Sequence, residues 1–333
     1  MCTAISFHSG DHYFGRNLDV PASYGESVVI TPRNYPFFFA DGEEMRAHHA
    51  MIGIAHISEG YPLYYDGVNE KGLAIAALAF PQNAVYNEKN AEKYNLAPFE
   101  LIPCVLGKCE SVAEARELLS AVNLIDLPFS EEFPTTPLHF MLADKKEALT
   151  AEPTEKGLLL YENPIGVLTN SPPFDFQMQY LNLFMGLSAE PIENRFGNSL
   201  PFSACSHGMG ALGLPGDLSS PSRFVRAAFT KTNARAGHTE KESVSQFFHI
   251  LGAVEQQKGC VHLDGAYEYT VYSSCCNTAQ CIYYYTTYEN SQITAVRMTE
   301  EALNSKTLIA YPMRKRQGVL YENEPPASLQ TAK

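Results

Sequence analysis

A cysteine directly behind the initiator methionine, in Met1-Cys2-Thr3-Ala4-Ile5-Ser6-Phe7, is the residue of this chain best placed to do chemistry. A small second residue permits removal of Met1, which leaves a cysteine bearing both a thiol and a free α-amine. An α-amine titrates near about 7.7–8.0 and a thiol near about 8.5, so a proton can pass between them close to neutrality. Nucleophile and base then share one residue, which suits the cleavage of an acyl bond. Position alone leaves a second reading open, in which Cys2 is a small apolar residue at the start of a strand.

Other chemical signals are weaker. Cys205 beside His207 and Cys275 beside Cys276 are neighbours in sequence, whereas a thiol and its base usually meet in space from distant segments. Buried structural cysteines are the simpler reading. Gly208-Met209-Gly210-Ala211-Leu212-Gly213 fits the G-x-G-x-x-G pattern, yet Leu214-Pro215-Gly216-Asp217 follows at once and leaves no helix to run through the last glycine, so no dinucleotide is expected. The pair His48-His49 has no carboxylate or cysteine at metal-ligand spacing, and no metal site is expected.

The elements that must position Cys2 are legible around it. Thr3, Ile5 and Phe7 alternate with Cys2, Ala4 and Ser6, and Ser9-Gly10-Asp11 then turns the chain into His12–Asp19, which predicts a hairpin. A turn near Gly10 sets Cys2 opposite residues 17–18 and brings Arg16 and Asp19 close to the thiol. A second hairpin is predicted from Pro62–Val68 through Asn69-Glu70-Lys71-Gly72 into Leu73–Phe80, whose second arm is apolar on both faces, as in a buried strand. Helices are predicted over Pro98–Leu106, after a capping box at Ser111–Glu114, and after another at Thr239–Glu242 that runs to Lys258-Gly259. Further strands are predicted at Leu138–Ala143, Ala148–Glu152, Leu158–Tyr161, Glu268–Cys276, Ile282–Thr287 and Ile293–Met298. This order reads as an α+β fold with antiparallel sheets and helical layers outside.

Composition bounds the partners. A net charge of −13 with no basic cluster argues against nucleic acid, and the short run Met313-Arg314-Lys315-Arg316 reads as a solvated end. With 45% hydrophobic and 18% charged residues the chain can bury a core, and no Pro-, Gly- or Ser-rich linker divides it. One domain over 1–325 with a C-terminal tail over 326–333 is expected. The longest apolar run, Leu73–Phe80, is too short to span a bilayer, and no basic segment followed by an apolar run opens the chain. A cytoplasmic location with reduced cysteines is therefore expected, since the eight cysteines form no C-x-x-C pair.

Two later segments bear on Cys2: Val167-Leu168-Thr169-Asn170-Ser171-Pro172-Pro173-Phe174-Asp175 and Gly213–Arg226, which contains Pro215-Gly216-Asp217-Leu218-Ser219-Ser220-Pro221-Ser222-Arg223. With Met1-Cys2-Thr3 and Phe14-Gly15-Arg16-Asn17-Leu18-Asp19, they resemble the choloylglycine hydrolase family, which contains bile salt hydrolases and penicillin V acylases. Asn69–Leu73, Ser245–Phe248 and Tyr269–Asn277 are similar as well, so the resemblance covers nearly the whole chain.

The resemblance implies the four-layer αββα sandwich of N-terminal-nucleophile hydrolases, two antiparallel sheets between helical layers. It implies that the Cys2 thiolate attacks an amide carbonyl, its α-amine relays the proton, and an acyl-thioester is then hydrolysed without metal or cofactor. Arg16 matches the arginine beside the nucleophile, Asp19 the aspartate that orients the α-amine, and Asn170 a side-chain donor of the oxyanion hole. Arg223 matches the last arginine of the charge network. Ala79 stands where bile salt hydrolases of this type commonly carry Asn and penicillin acylases Tyr; it keeps the backbone N–H that serves the oxyanion hole but leaves substrate choice open. Leu18, Ala79, Tyr61 and Phe129 are candidates to line an apolar substrate groove. The expected activity is hydrolysis of glycine- or taurine-conjugated bile acids by a homotetramer. The alternatives are a penicillin V acylase, acyl transfer to other amines, or a non-catalytic bile-acid-binding relative.

Overall fold

Gly10 supplies the left-handed backbone, φ 71°, that a tight reversal after Ser9 needs, and the alternating segments on either side of it pair as expected. The computed structural model describes residues 1–197, 199–263 and 265–323; the tail expected over 326–333 lies outside the described residues. In chain order the strands of the two main sheets are β1 (Cys2–Ser9), β2 (Asp11–Val20), β3 (Ser27–Thr31), β4 (Met51–Ser58), β5 (Tyr61–Asn69), β6 (Ala74–Ala79) and β7 (Leu138–Ala143). They continue with β8 (Ala148–Thr154), β9 (Gly157–Glu162), β10 (Val167–Leu168), β11 (Ala266–Asn277), β12 (Ile282–Thr287), β13 (Asn290–Arg297) and β14 (Ile309–Pro312). The helices are α1 (Leu101–Lys108), α2 (Val112–Ala121), α3 (Phe174–Leu181), α4 (Ser220–Asn233), α5 (Glu240–Gly252) and the single turn α6 (Glu300–Leu303).

One sheet runs β10-β1-β2-β11-β12-β13, with the short strand Val261–Leu263 attached to β11. The other runs β9-β8-β7-β6-β5-β4-β3-β14. Neighbouring strands in both are antiparallel.

Burial on two levels stacks these sheets between helices. Ala74, Ala76 and Leu78 of β6 share one apolar cluster with Cys2, Ile5 and Phe14 of the facing sheet, and that cluster continues to Phe224, Phe247 and Ile250 of α4 and α5. Ile75 and Ala77, on the opposite face of β6, pack with Leu101 and Val105 of α1 and Val112 and Leu119 of α2. A strand covered on both faces must be apolar at successive positions, which is the pattern Leu73–Phe80 carries. Fully burying a side chain such as Phe224 or Phe247 contributes roughly 1.5–3 kcal/mol. The result is the αββα order of an N-terminal-nucleophile hydrolase.

Some boundaries differ from the sequence reading. The box at Thr239 closes in both directions, but α5 stops at Gly252 rather than Lys258-Gly259, because glycine is a poor helix former; Val254 is buried beyond the helix end. At α2 the Ser111 hydroxyl accepts the Glu114 N–H, while the Glu114 carboxylate turns to the Glu110 N–H, so that box stays half-formed. The strand β4 is not among the predicted ones. Gly53 interrupts its apolar alternation, since a Cβ there would stand 2.0 Å from the Asp66 carbonyl oxygen.

His12 on β2 gives the fold a titratable component. Its Nε2 faces the Ser6 hydroxyl at 2.9 Å and its Nδ1 the Thr278 hydroxyl at 3.0 Å. Burial, helped by nearby His8, lowers its pKa from 6.5 to about 3. Below pH 6.5 the unfolded chain takes up a proton that the folded chain refuses until about pH 3, so stability falls as pH drops through that window. The loss at the bottom of the window is expected to reach up to ~4 kcal/mol. Urea unfolding followed from neutral into acid pH should show this decline, with a shallower one in His12→Asn; equal slopes would contradict the assignment.

Candidate active site

The hairpin register decides which side chains share a face. Cys2 pairs with Leu18, Thr3 with Asn17 and Ala4 with Arg16, so Cys2, Leu18 and Arg16 project toward the second sheet, while Thr3 and Asp19 project toward the helices α4 and α5. Met1 extends the ladder. The Asp19 N–H donates to the Met1 carbonyl at 2.9 Å, and the Met1 ammonium reaches the Asp19 carbonyl at 2.6 Å and Glu268 Oε1 at 3.1 Å.

Arg223 gathers the other segments around Cys2. Asp217 fixes the entry to α4: its carboxylate accepts the Ser219 N–H at 2.9 Å and the Ser222 hydroxyl at 2.5 Å, and these bonds lower its pKa to about 2. One turn into the helix, the fully buried Arg223 donates through Nη1 to the Cys2 carbonyl and to the Thr3 hydroxyl, both at 2.6 Å. Its Nη2 donates to Asn170 Oδ1 at 2.7 Å, and its Nε to the Leu218 carbonyl at 3.0 Å. Burial pushes the guanidinium below its ordinary basicity, against the pull of Asp19 and Cys2. Asp19 Oδ2 lies 3.9 Å from Nη1 and has no hydrogen-bond partner among the described residues, while Oδ1 accepts the Thr270 hydroxyl at 2.6 Å. Burial raises the Asp19 carboxyl, with Arg223 opposing.

Asn170 follows β10, which pairs with β1 at Ala4 and Ile5. Its Oδ1 accepts the Cys2 N–H at 2.8 Å and its Nδ2 donates to the Ala79 carbonyl at 2.7 Å, leaving a second Nδ2 hydrogen. Ala79 sits opposite Leu138, and the Phe80 N–H donates to the Pro137 carbonyl at 2.8 Å, which makes Ala79 a position whose N–H and C=O both turn away from β7. They point to the side where pairing with β5 ends at Ala76, next to Asn170.

Arg16 is also fully buried. It donates to the Ala77 carbonyl, to the Tyr65 carbonyl at 3.1 Å and to the Asn17 carbonyl at 3.3 Å, all neutral acceptors, and its Nη2 has no partner among the described residues. Burial opposes its charge, but Cys2, Tyr272, Asp66 and Asp19 outweigh that, and the guanidinium sits above its ordinary basicity.

Cys2, Arg16, Leu18, Asp19 and Ala79 border one cavity of about 370 Å³. Its far walls are Phe99, Ile102, Leu127, Phe129, Phe133 and Leu138, with carboxylates at Glu132 and Glu268. Of the groove candidates, Leu18, Ala79 and Phe129 line this space. Tyr61 does not; its ring stands one layer back, edge-on to Phe99 and tilted against Phe129, both at 5.6 Å, and edge-on to Phe37. Strand alternation gives a residue's face but not its depth, which is why Tyr61 was expected at the cavity wall; Phe99, Ile102 and Phe133 come from helical and loop segments that no strand pattern marks. Glu268, buried with Oε2 unpartnered among the described residues, was also missed; a carboxylate among the aromatic residues of β11 was the available signal.

The remaining candidates lie elsewhere. Cys275 is fully buried and its thiol is pushed up by burial, Cys205 and His207 are exposed, and Met209–Ala211 form a short 3-10 turn rather than the start of a Rossmann helix. Among the described residues no three His, Cys, Asp or Glu side chains are placed to hold a metal, and no helix is long and apolar enough to cross a membrane.

Comparison with known proteins agrees with this geometry. Residues 2–311 match the family model for linear amide C–N hydrolases of the choloylglycine hydrolase family. The chain is 53% identical over 315 residues to a bile salt hydrolase/transferase of Lactiplantibacillus plantarum, covering 94% of this chain and 97% of the relative. The structure is similar to that of a mutant conjugated bile acid hydrolase from Clostridium perfringens, with a TM-score of 0.89, 35% identity and coverage of 97% of this chain and 100% of the other. A penicillin V acylase from Agrobacterium tumefaciens, 18% identical with a TM-score of 0.74 over 96% of this chain and 95% of the other, shares the fold. With the Cys2-bearing hairpin, the Asn170 segment and the α4 arginine converging as described, this chain belongs to the choloylglycine hydrolase family of linear amide C–N hydrolases.

Proposed function

We propose that this protein cleaves the amide bond of glycine- or taurine-conjugated bile acids through an acyl-thioester on Cys2. The observation that carries the reading is the apolar cavity of about 370 Å³ that borders Cys2 and Arg16 together. A steroid body needs such walls, and an amide at its polar end would meet the thiol. The small side chain of Ala79 leaves width where a larger residue would narrow the cavity. The name borne by the Lactiplantibacillus relative supports the same substrate class.

The steps follow from the groups present. With Met1 removed, the Cys2 thiolate attacks the amide carbon, and the carbonyl electron pair moves to oxygen. The Ala79 N–H and the free Nδ2 hydrogen of Asn170 receive that charge; one such donor is worth about 10²–10³ in rate. The C–N bond then breaks as the α-amine hands a proton to the departing nitrogen, and water cleaves the thioester with the amine accepting its proton. A peptide N–H at Cys2 has one hydrogen and gives it to Asn170, whereas an α-amine has more, and the unpartnered Asp19 Oδ2 is the acceptor we assign to it. Arg16, which borders the same cavity as Cys2, supplies a buried positive charge beside the attacking sulfur. An amine in place of water would give acyl transfer from the same thioester.

Assembly and location belong to the same proposal. Between α3 and α4 the chain exposes Leu183 (75%), Met185 (89%), Phe196 (83%) and Leu212 (73%), an apolar stretch suited to burial against further copies in a homotetramer. All eight cysteines are free, as suits a reducing cytoplasm.

Wild-type protein is expected to turn over glycocholate and taurocholate faster than penicillin V in parallel assays. A clear preference for the penicillin would make it an acylase of that class, and no turnover of any of the three would make it a binder. Cys2→Ser is expected to lose about 10³-fold or more in kcat; undiminished hydrolysis would remove Cys2 as the nucleophile. Light scattering on a sizing column should give the mass of a tetramer, and Met185→Glu with Phe196→Glu should lower it; an unchanged mass would rule this stretch out as the interface.

A further inference from the structure

Beneath the two oxyanion donors lies a buried histidine that the proposed chemistry does not use. We propose that His139 is a positioning residue for the oxyanion pocket, one imidazole that fixes both of its arms; this rests on the roles proposed above for Ala79 and Asn170. His139 lies on β7 opposite Leu78, next to the Leu138–Ala79 pair. Its ring lies flat on Phe80, the residue after Ala79, with centroids 4.3 Å apart and planes 8° from parallel. Its Nε2 meets the Thr169 carbonyl, the residue before Asn170, at 3.0 Å. One rigid ring thus touches the neighbour of each donor.

The ring itself is fixed from behind. The Thr169 carbonyl can only accept, so Nε2 carries a hydrogen, and Nδ1 faces Glu152 Oε1 at 3.0 Å. The Glu152 carboxylate also accepts the Phe174 N–H at 3.1 and 3.2 Å, which ties it to the first residue of α3. Both side chains are wholly buried. Ser220 and Gln177 grip the backbone of Asn170, at its N–H (2.9 Å) and its carbonyl (3.0 Å). His139 adds what these do not, a link across to the Ala79 arm.

That link matters because the Asn170 carboxamide is already committed. Its Oδ1 is held by Cys2 and Arg223 and one Nδ2 hydrogen by the Ala79 carbonyl, so the direction of the remaining hydrogen depends on the spacing between residues 79 and 170. A displacement of about 1 Å at such a donor can cost about 10²-fold in rate. A histidine that merely filled the core would affect stability and leave this spacing alone.

An aldehyde analogue of the bile acid, with the aldehyde in place of the amide carbonyl, separates the two roles. The Cys2 thiol adds across the C=O, forming the S–C bond and placing the new oxygen in the oxyanion position, whereas free cholate tests the apolar cavity alone. In His139→Gln, aldehyde affinity and kcat/KM are expected to fall together by about 10- to 100-fold, with cholate affinity unchanged. Unchanged aldehyde affinity, or an equal fall for cholate, would overturn the proposal. If His139→Gln does not fold, Phe80→Leu, which removes the flat contact and leaves the imidazole, carries the same test: a selective loss for the aldehyde supports the assignment and no loss overturns it. A wild-type protein that neither hydrolyses conjugated bile acids nor binds the aldehyde would overturn the functional reading itself, whereas an active wild type with unaffected variants would overturn the role of His139 alone.

Discussion

The site depends on one buried guanidinium. Arg223 reaches from α4 to hold the Cys2 carbonyl, the Thr3 hydroxyl and Asn170 Oδ1, three groups contributed by the first strand and by the segment after β10. A planar fork with five donors can do this; the compact ammonium of lysine cannot satisfy acceptors spread in this way. Because the group is shut off from water, removing Asp19, the carboxylate 3.9 Å from its Nη1, would leave its charge uncompensated, at a cost of about 3–5 kcal/mol for a buried pair. The fold thus couples its outer helical layer directly to the strand that carries the thiol. Asp217, pulled into the first turn of α4 by Ser219 and Ser222, sets the angle from which Arg223 enters.

Around that anchor the protein keeps charge close to the thiol. Arg16 spends its hydrogen bonds on neutral carbonyls, while Cys2, Asp66 and Asp19 all lie within its field. Behind it, Asp66 accepts from the Tyr272 hydroxyl at 2.8 Å and from the Tyr283 hydroxyl, a polar link between the two sheets; burial raises its carboxyl, with Arg16 opposing. Arg16 Nη2 and Asp19 Oδ2, without partners among the described residues, are costly in a finished core and intelligible where a reacting group is expected. The catalytic roles proposed for these residues follow from that asymmetry.

Local rules carried the sequence reading a long way. Period-two alternation and Gly10 were enough to set Cys2 opposite residues 17–18, where Leu18 is its partner, and an apolar run on both faces marked β6 as a strand covered on both sides. What local rules could not supply was the third dimension. Nothing near Arg16 announces that its partners are the carbonyls of residues 65 and 77, and nothing near Tyr61 says that Phe99 and Phe129 stand between it and the cavity. The α5 boundary failed for a smaller reason: apolar spacing persists to Val254, but the helix ends at Gly252 and the chain buries that valine from a turn. His139 left no trace in the sequence because its meaning lies in two neighbours, Phe80 and Thr169, that only the assembled sheets bring to one ring.

On the mechanism proposed, a processed Cys2 forms a covalent acyl-enzyme inside this network. Intact-mass analysis of protein quenched in acid during turnover of glycocholate tests it most directly. The expected species is a chain lacking Met1 that carries one cholyl group, with the adduct mapping to the N-terminal peptide at Cys2. Efficient turnover by protein that retains Met1, or an adduct at another residue, would contradict it.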